Sequence, residues 1–173
     1  MPAAQKPAIE ILRFEPRYAQ DFEALNLEWL RKYFRVEPID EVVLSRPDRI
    51  LERGGSIVLA RVGERIVGTC ALLKDGENRF ELSKMAVTDG YQGIGIGRLL
   101  LAAVIDVFTA QGAGELYLES NSVLQPALKL YESVGFEYAP RPSGPAHYAR
   151  ADVYMIYRGP RPASPRTPSS HPK

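Results

Sequence analysis

The stretch TDGYQGIGIGRLLLAAV, residues 88–104, carries glycine at three alternate positions, Gly93, Gly95 and Gly97, just ahead of a helical pattern. Glycine costs a helix interior about 1 kcal/mol relative to alanine. Its use here needs a reason. The first backbone N–H groups of a helix have no intrahelical partner and sit at the positive end of the helix dipole. Without side chains in the way, an anion can touch those amides directly, as in a phosphate site. The alternative is a tight turn followed by close packing of helix on sheet.

Elements extend in both directions from this loop. Behind it, Leu100, Ala103, Val104, Val107 and Phe108 fall at i, i+3, i+4, i+7 and i+8, the stripe of an amphipathic helix, which Gly112 can end in a left-handed conformation. Ahead of it, SIVLARV (56–62), RIVGTCALLK (65–74) and RFELSKMAV (79–87) read as hairpin-linked strands. IEILRF (9–14) is a further strand. Tyr18, Phe22, Leu25 and Trp29 share one helical face, and a short helical stretch around 39–53 is interrupted by Pro47. ELYLES (115–120) is a strand, and Leu124, Ala127, Leu128 and Tyr131 make a second helical stripe, tolerant of Pro126 in its first turn and ended by Gly135. FEYAP (136–140) and DVYMIYR (152–158) are the last strands. The order predicts a mixed α/β fold, a mainly antiparallel sheet of about seven strands flanked by four helices.

Composition excludes several function classes. The chain has 173 residues with 45% hydrophobic and 25% charged residues, the balance of a globular domain, and a formal net charge of +1. That charge supplies no field for nucleic acid or a membrane surface. The start lacks a signal-peptide pattern and the longest apolar run, LLLAAVI (99–105), is too short to span a bilayer, so a cytoplasmic protein is expected. Cys70, the only cysteine, reads as a buried hydrophobe; with His147 and His171 it cannot build a metal site. Residues 1–158 are expected to form the domain and the Pro- and Ser-rich 159–173, containing His171, a disordered tail.

Three phosphate motifs compete for the glycines. A P-loop needs a Gly-Lys pair, which the chain lacks. The dinucleotide fingerprint would need a third glycine at Arg98; Glu119 suits its downstream acid, but the loop follows antiparallel hairpins rather than opening a parallel βαβ unit. The third motif, Gln/Arg-x-x-Gly-x-Gly/Ala, fits Gln92-Gly93-Ile94-Gly95-Ile96-Gly97. It resembles the pyrophosphate loop of the Gcn5-related N-acetyltransferases (GNAT), which bind acetyl-coenzyme A. PALKLYESVGFE resembles the family's next helix, with Ala127, Tyr131, Gly135 and Phe136 at its signature positions. The resemblance covers residues 9–158.

The resemblance implies acetyl transfer from acetyl-CoA, without a metal, to a primary amine. It implies that the amides of Gly93 to Arg98 hold the pyrophosphate and that Met85-Ala86-Val87 pairs strand-like with the pantetheine. Tyr131 would donate the proton to the coenzyme sulfur, its phenol pKa of about 10 suiting an alkyl thiolate; the alternative is a purely packed aromatic. Glu81 stands where protein-acetylating members carry a base, and otherwise reads as a surface or salt-bridged glutamate. Strand alternation puts Glu81 with Ser83 and Met85 and against Lys84, unless the bulge common in this strand intervenes. Asn121 is a cofactor contact or a turn residue, and His147 reads as an exposed loop histidine. The acceptor is expected between the first two helices and the 140–151 loop, near Trp29, Tyr33 and Phe34, with Glu28, Glu37 or Asp40 to attract its charge. A small-molecule amine, a peptide or protein amine, and a CoA-binding module without transfer remain open, as does a homodimer.

Overall fold

The structure, a computed structural model, describes residues 5–112, 114–144, 146 and 148–159. His147, His171 and, apart from Gly159, the expected tail 159–173 lie outside the described residues. The elements run β1 (Ile9–Arg13), a 3₁₀ turn (Pro16–Tyr18), α1 (Ala19–Tyr33), α2 (Pro38–Leu44), α3 (Pro47–Glu52), β2 (Ser56–Val62), β3 (Arg65–Lys74), β4 (Arg79–Val87), α4 (Ile96–Ala110), β5 (Glu115–Ser120), α5 (Gln125–Val134), β6 (Phe136–Tyr138) and β7 (Val153–Tyr157). The strands make one seven-stranded sheet in the order β1-β2-β3-β4-β5-β7-β6. Every neighbouring pair is antiparallel except β4 with β5.

The stretch around 39–53 forms two helices, so five α-helices stand where four were expected. Pro47 does not kink a helix; it opens α3 at the first helical position, where a missing N–H costs nothing. Pro38 opens α2 in the same way, and Glu37 and Asp40 form a reciprocal capping box there. β6 is shorter than expected, ending at Tyr138 ahead of Pro140, which has no N–H for the ladder.

Two apolar clusters fill the faces of the sheet. α4 and α5 cover one face, where Leu100, Leu101, Val104 and Leu128 pack with Val58, Cys70, Leu72 and Leu82. Fully burying one such side chain contributes about 1.5–3 kcal/mol relative to exposing it. α1, α2 and α3 cover the other face, where Phe22, Leu30, Leu44 and Ile50 meet Ile57 and Ala71. Adjacent residues Ile57 and Val58 point into opposite clusters, as strand alternation requires. Cys70 is wholly buried, and burial pushes its thiol up to about 12, leaving it an inert core residue. Among the described residues no helix is long and apolar enough to cross a membrane.

Candidate active site

Two departures from a regular sheet make the site. The first is a split. β4 pairs with β5 only from Arg79 to Glu81, against Glu115 to Tyr117. Beyond Glu81 the strands lose their pairing, and β4 from Leu82 to Val87 has β3 as its only ladder partner. The second is a bulge. Ala71 faces Ser83 while Thr69 faces Ala86, so two steps on β3 match three on β4. Lys84 takes up the extra residue at φ 54°, the one positive φ of a non-glycine among the described residues.

The bulge corrects the face assignment. Leu82 and Met85, three residues apart, both pack toward α4 and α5. Met85 is therefore not on Glu81's face. Lys84 lies instead on the α2 side, 3.8 Å from the Asp40 carboxylate. The alternation that grouped Glu81 with Met85 and opposed it to Lys84 is overturned.

The three glycines divide between the two readings. Gly93 and Gly95 have φ +78° and +95°, and a Cβ on either would meet nothing within 4 Å. They are needed for the turn and leave its surface bare. Gly97 is ordinary helix, but a Cβ there would lie 3.1 Å from the Leu130 side chain of α5, so it serves helix packing. Gly95 is the left-handed residue that precedes α4, and the first bond of the helix runs from Leu99 N to Gly95 O. The amides of Ile96, Gly97 and Arg98 consequently have no acceptor within the helix.

These amides face a groove of about 530 Å³ between the glycine loop, β4 and α5. Met85, Ala86, Val87, Gln92, Gly93 and Gly95 line it, together with Ile96, Gly97 and Arg98. Ile94 is half-exposed and not part of its wall. Gln92 Nε2 donates to Val87 O at 3.1 Å, and Arg98 donates to Ser133 Oγ at 3.1 Å, tying the loop to β4 and α4 to α5. Glu28 fixes the loop from α1, accepting from Thr88 Oγ1 at 2.8 Å and Asp89 N at 3.2 Å.

The groove runs into an inner cavity of about 90 Å³ at the split, sharing Trp29, Met85 and Leu124 with it. Glu81, Tyr131 and Asn121 all line this cavity. Tyr131 is buried on α5 with its ring edge toward Phe136, and its hydroxyl makes no hydrogen bond among the described residues. Burial pushes its phenol up, so it stays an O–H donor throughout the neutral range. Glu81 is 5% exposed, which removes the surface reading, and it accepts a long 3.4 Å bond from Tyr117. Arg79 is engaged elsewhere, by Asp75 and Glu115. Asn121 donates to Arg150 O at 2.5 Å and accepts from Val123 N at 2.9 Å. Its polar atoms hold the turn after β5 and the segment 148–151 together, whatever it contributes to a ligand.

The cavity is walled by α1, α2 and the segment 148–151, the elements between which the sequence reading expected the acceptor. Trp29 and Phe34 line the cavity, and the Trp29 ring lies tilted against Tyr33 and Phe34 with centroids 5.6 and 5.5 Å away. Glu37 and Asp40 do not offer open charge. Arg150 grips Asp40 with both terminal nitrogens, at 2.9 and 3.0 Å, and Glu37 at 2.8 Å. Burial opposes ionisation of Asp40, but Arg150 and the Glu37 N–H outweigh it and hold its carboxyl below the usual range.

Three residues of the site escaped the sequence. Lys84 donates to Tyr148 Oη, and burial brings its ammonium down to about 8 against the pull of Asp40. Arg150 closes the cavity over α2. Glu119 lines the cavity from β5, 7% exposed; its Oε1 lies 3.8 Å from Arg141 while its buried Oε2 has no hydrogen-bond partner among the described residues. Only Glu119 had a sequence signal, the phase of ELYLES, which puts Tyr117 and Glu119 on one face opposite Leu116 and Leu118.

A glycine-loop helix entrance, an open strand edge beside it and a buried cavity holding carboxylates and a phenol thus lie along one groove. The model of the acetyltransferase (GNAT) family matches residues 22–136, and the chain belongs to that family. The crystal structure of a GNAT-family acetyltransferase from Staphylococcus aureus Mu50 is similar at a TM-score of 0.79 and 25% identity, covering 87% of this chain and 98% of that one. The paia N-acetyltransferase of Thermoplasma acidophilum, solved in complex with coenzyme A, shares the fold at a TM-score of 0.66 and 18% identity, covering 87% and 98%. The N-alpha-acetyltransferase RimI of Mycobacterium tuberculosis is 35% identical over 102 residues, 57% of this chain and 63% of that protein. The chain spans less than two thirds of the length of such curated relatives.

Proposed function

We propose that this protein is an acetyl-CoA-dependent N-acetyltransferase whose acceptor is a small-molecule primary amine attacking the thioester directly. The observation that carries this reading is the conjunction of the bare Gly93–Gly95 turn with an unpaired β4 edge leading to Tyr131 and Glu81. The cofactor fits the site by its donor set. The amides of Ile96, Gly97 and Arg98 suit the pyrophosphate, and Met85 to Val87 suit the amides of the pantetheine arm. When bound, acetyl-CoA supplies the activated acyl group.

The chain's own groups do the rest. A β4 N–H near Met85 polarises the acyl oxygen. Tyr131 gives its proton toward the sulfur; the buried setting that raises the phenol also raises a thiol placed there, so the two stay matched. Glu81 takes the proton of the acceptor ammonium, directly or through water. Glu119 is a second candidate for this task, favoured by the buried carboxylate oxygen that lacks a partner. A buried carboxylate oxygen without a hydrogen bond is costly and is relieved by a donor such as an ammonium. The small size of the inner cavity, about 90 Å³, and its closure by Arg150 favour a small acceptor over a protein chain.

Thermal shift tests the reading. Acetyl-CoA and CoA should raise Tm and NAD or ATP far less; ligand at 100 times its Kd adds about 2.7 kcal/mol. Gly95→Asp puts a carboxylate beside the phosphates and a Cβ at φ +95°, and should abolish the shift. A folded variant that keeps the full shift contradicts the assignment.

A further inference from the structure

The inner cavity borders a second space. A pocket of about 310 Å³ lies between α2, α3 and the paired portion of β3 and β4, sharing no residue with the groove. Glu81 and Tyr148 line both this pocket and the cavity, so these two side chains stand where the two spaces adjoin. Groove, cavity and pocket thus follow one another, each sharing lining residues with the next.

The pocket is graded in chemistry. At its inner end stands Glu81; the neighbouring Asp75 is taken up by Arg79 and Tyr117, at 2.5 and 2.7 Å. Its wall is apolar, with Ile39 and Val42 left 43% and 61% exposed. Its α3 rim carries Arg46, Arg49 and Arg53. Arg46 is neutralised by Asp48, at 2.7 and 3.0 Å. Arg49 and Arg53 are exposed and form no ion pair among the described residues. The Glu81 carboxylate within, an apolar middle, and Arg49 and Arg53 with the exposed Lys74 outside make a sequence of charges that a simple cation does not match.

Resting on the acetyl-transfer reading, we propose that the pocket is the acceptor subsite and that the acceptor is amphoteric. It has a primary amine at one end, an apolar segment, and a carboxylate or phosphate at the other. The amine reaches Glu81, and Arg49 and Arg53 hold the anion. A guanidinium fork pairs with either oxyanion. Because the rim is exposed, this contact weakens with salt.

Thiol release from acetyl-CoA tests it with matched acceptors: straight-chain ω-amino carboxylates with their carboxamides, and amino-alkyl phosphates with the parent amino alcohols. The carboxylate or the phosphate series should exceed its neutral partner in kcat/KM by about tenfold or more at low salt. The Arg49→Gln, Arg53→Gln double variant should shrink that gap to about twofold, with the neutral acceptor unchanged. Equal rates for anionic and neutral partners in both series, a gap the double variant keeps, or no turnover of any member each overturn the proposal. The CoA-induced Tm shift is measured alongside. A normal shift with turnover of other amines confines the failure to this subsite, whereas no shift in the wild type removes the transfer reading as well. Should the double variant lose the shift, Arg53→Gln alone gives the same comparison.

Discussion

Tyr131 and Glu81 show how a single residue's place in the fold decides its chemistry. Tyr131→Phe removes one hydroxyl that bonds to nothing else among the described residues, so packing against Phe136 should persist. The expected result is an unchanged CoA-induced Tm shift with turnover lowered by about 100-fold or more. Near-full turnover would leave Tyr131 a packed aromatic. Glu81→Gln should keep cofactor binding and lower kcat/KM about 100-fold at neutral pH. The loss should shrink as pH approaches the amine's own pKa of about 10.4, where the acceptor arrives neutral. Parallel pH profiles of variant and wild type would move the base role to Glu119, whose Gln variant should then show the loss that shrinks as pH rises. Tyr131 was legible because a helical stripe and a following Gly-Phe pair fix it in sequence. Glu119 was not, because the lack of a hydrogen-bond partner is a property of three-dimensional neighbours.

At the scale of elements, the glycine loop and β4 differ in what sequence can reveal. Gly93 and Gly95 are local: a left-handed turn before a helix is encoded by the residues that adopt it. Gly97 was legible only as one of three, and its packing against Leu130 required α5 to be placed. The bulge at Lys84 was not legible, since a bulge is a mismatch between two strands and β4 alone reads as regular alternation. Its consequence is measurable. Burial lowers the Lys84 ammonium from 10.5 to about 8, so between those values the unfolded chain binds more protons than the folded one. Stability from this group therefore rises with pH across that window and is lowest below it. Urea titrations of the wild type and Lys84→Met should diverge by up to about 3 kcal/mol between pH 8 and 10.5, the wild type gaining. Curves that stay parallel across the window would mean that Lys84 is not held as a desolvated ammonium.

For the whole molecule, strand number, strand order along the chain and the antiparallel hairpins followed from alternation and turn residues. The helix count did not, because Pro47 serves as well to begin a helix as to interrupt one. Nor did the closure of the cavity, where Arg150 reaches Asp40 and Glu37 across more than a hundred residues of chain. The proposed function gives split sheet, glycine loop and closed cavity one meaning together, transfer of an acetyl group to an amine. The most direct test follows thiol release and acceptor mass together, with acetyl-CoA, a panel of small amines and lysine peptides, and a control without acceptor. The expected result is release that depends on a small amine, matched mole for mole by an acceptor carrying one added acetyl group. Acceptor-independent release, or none with any amine from folded protein that shows the CoA-induced Tm shift, would contradict it.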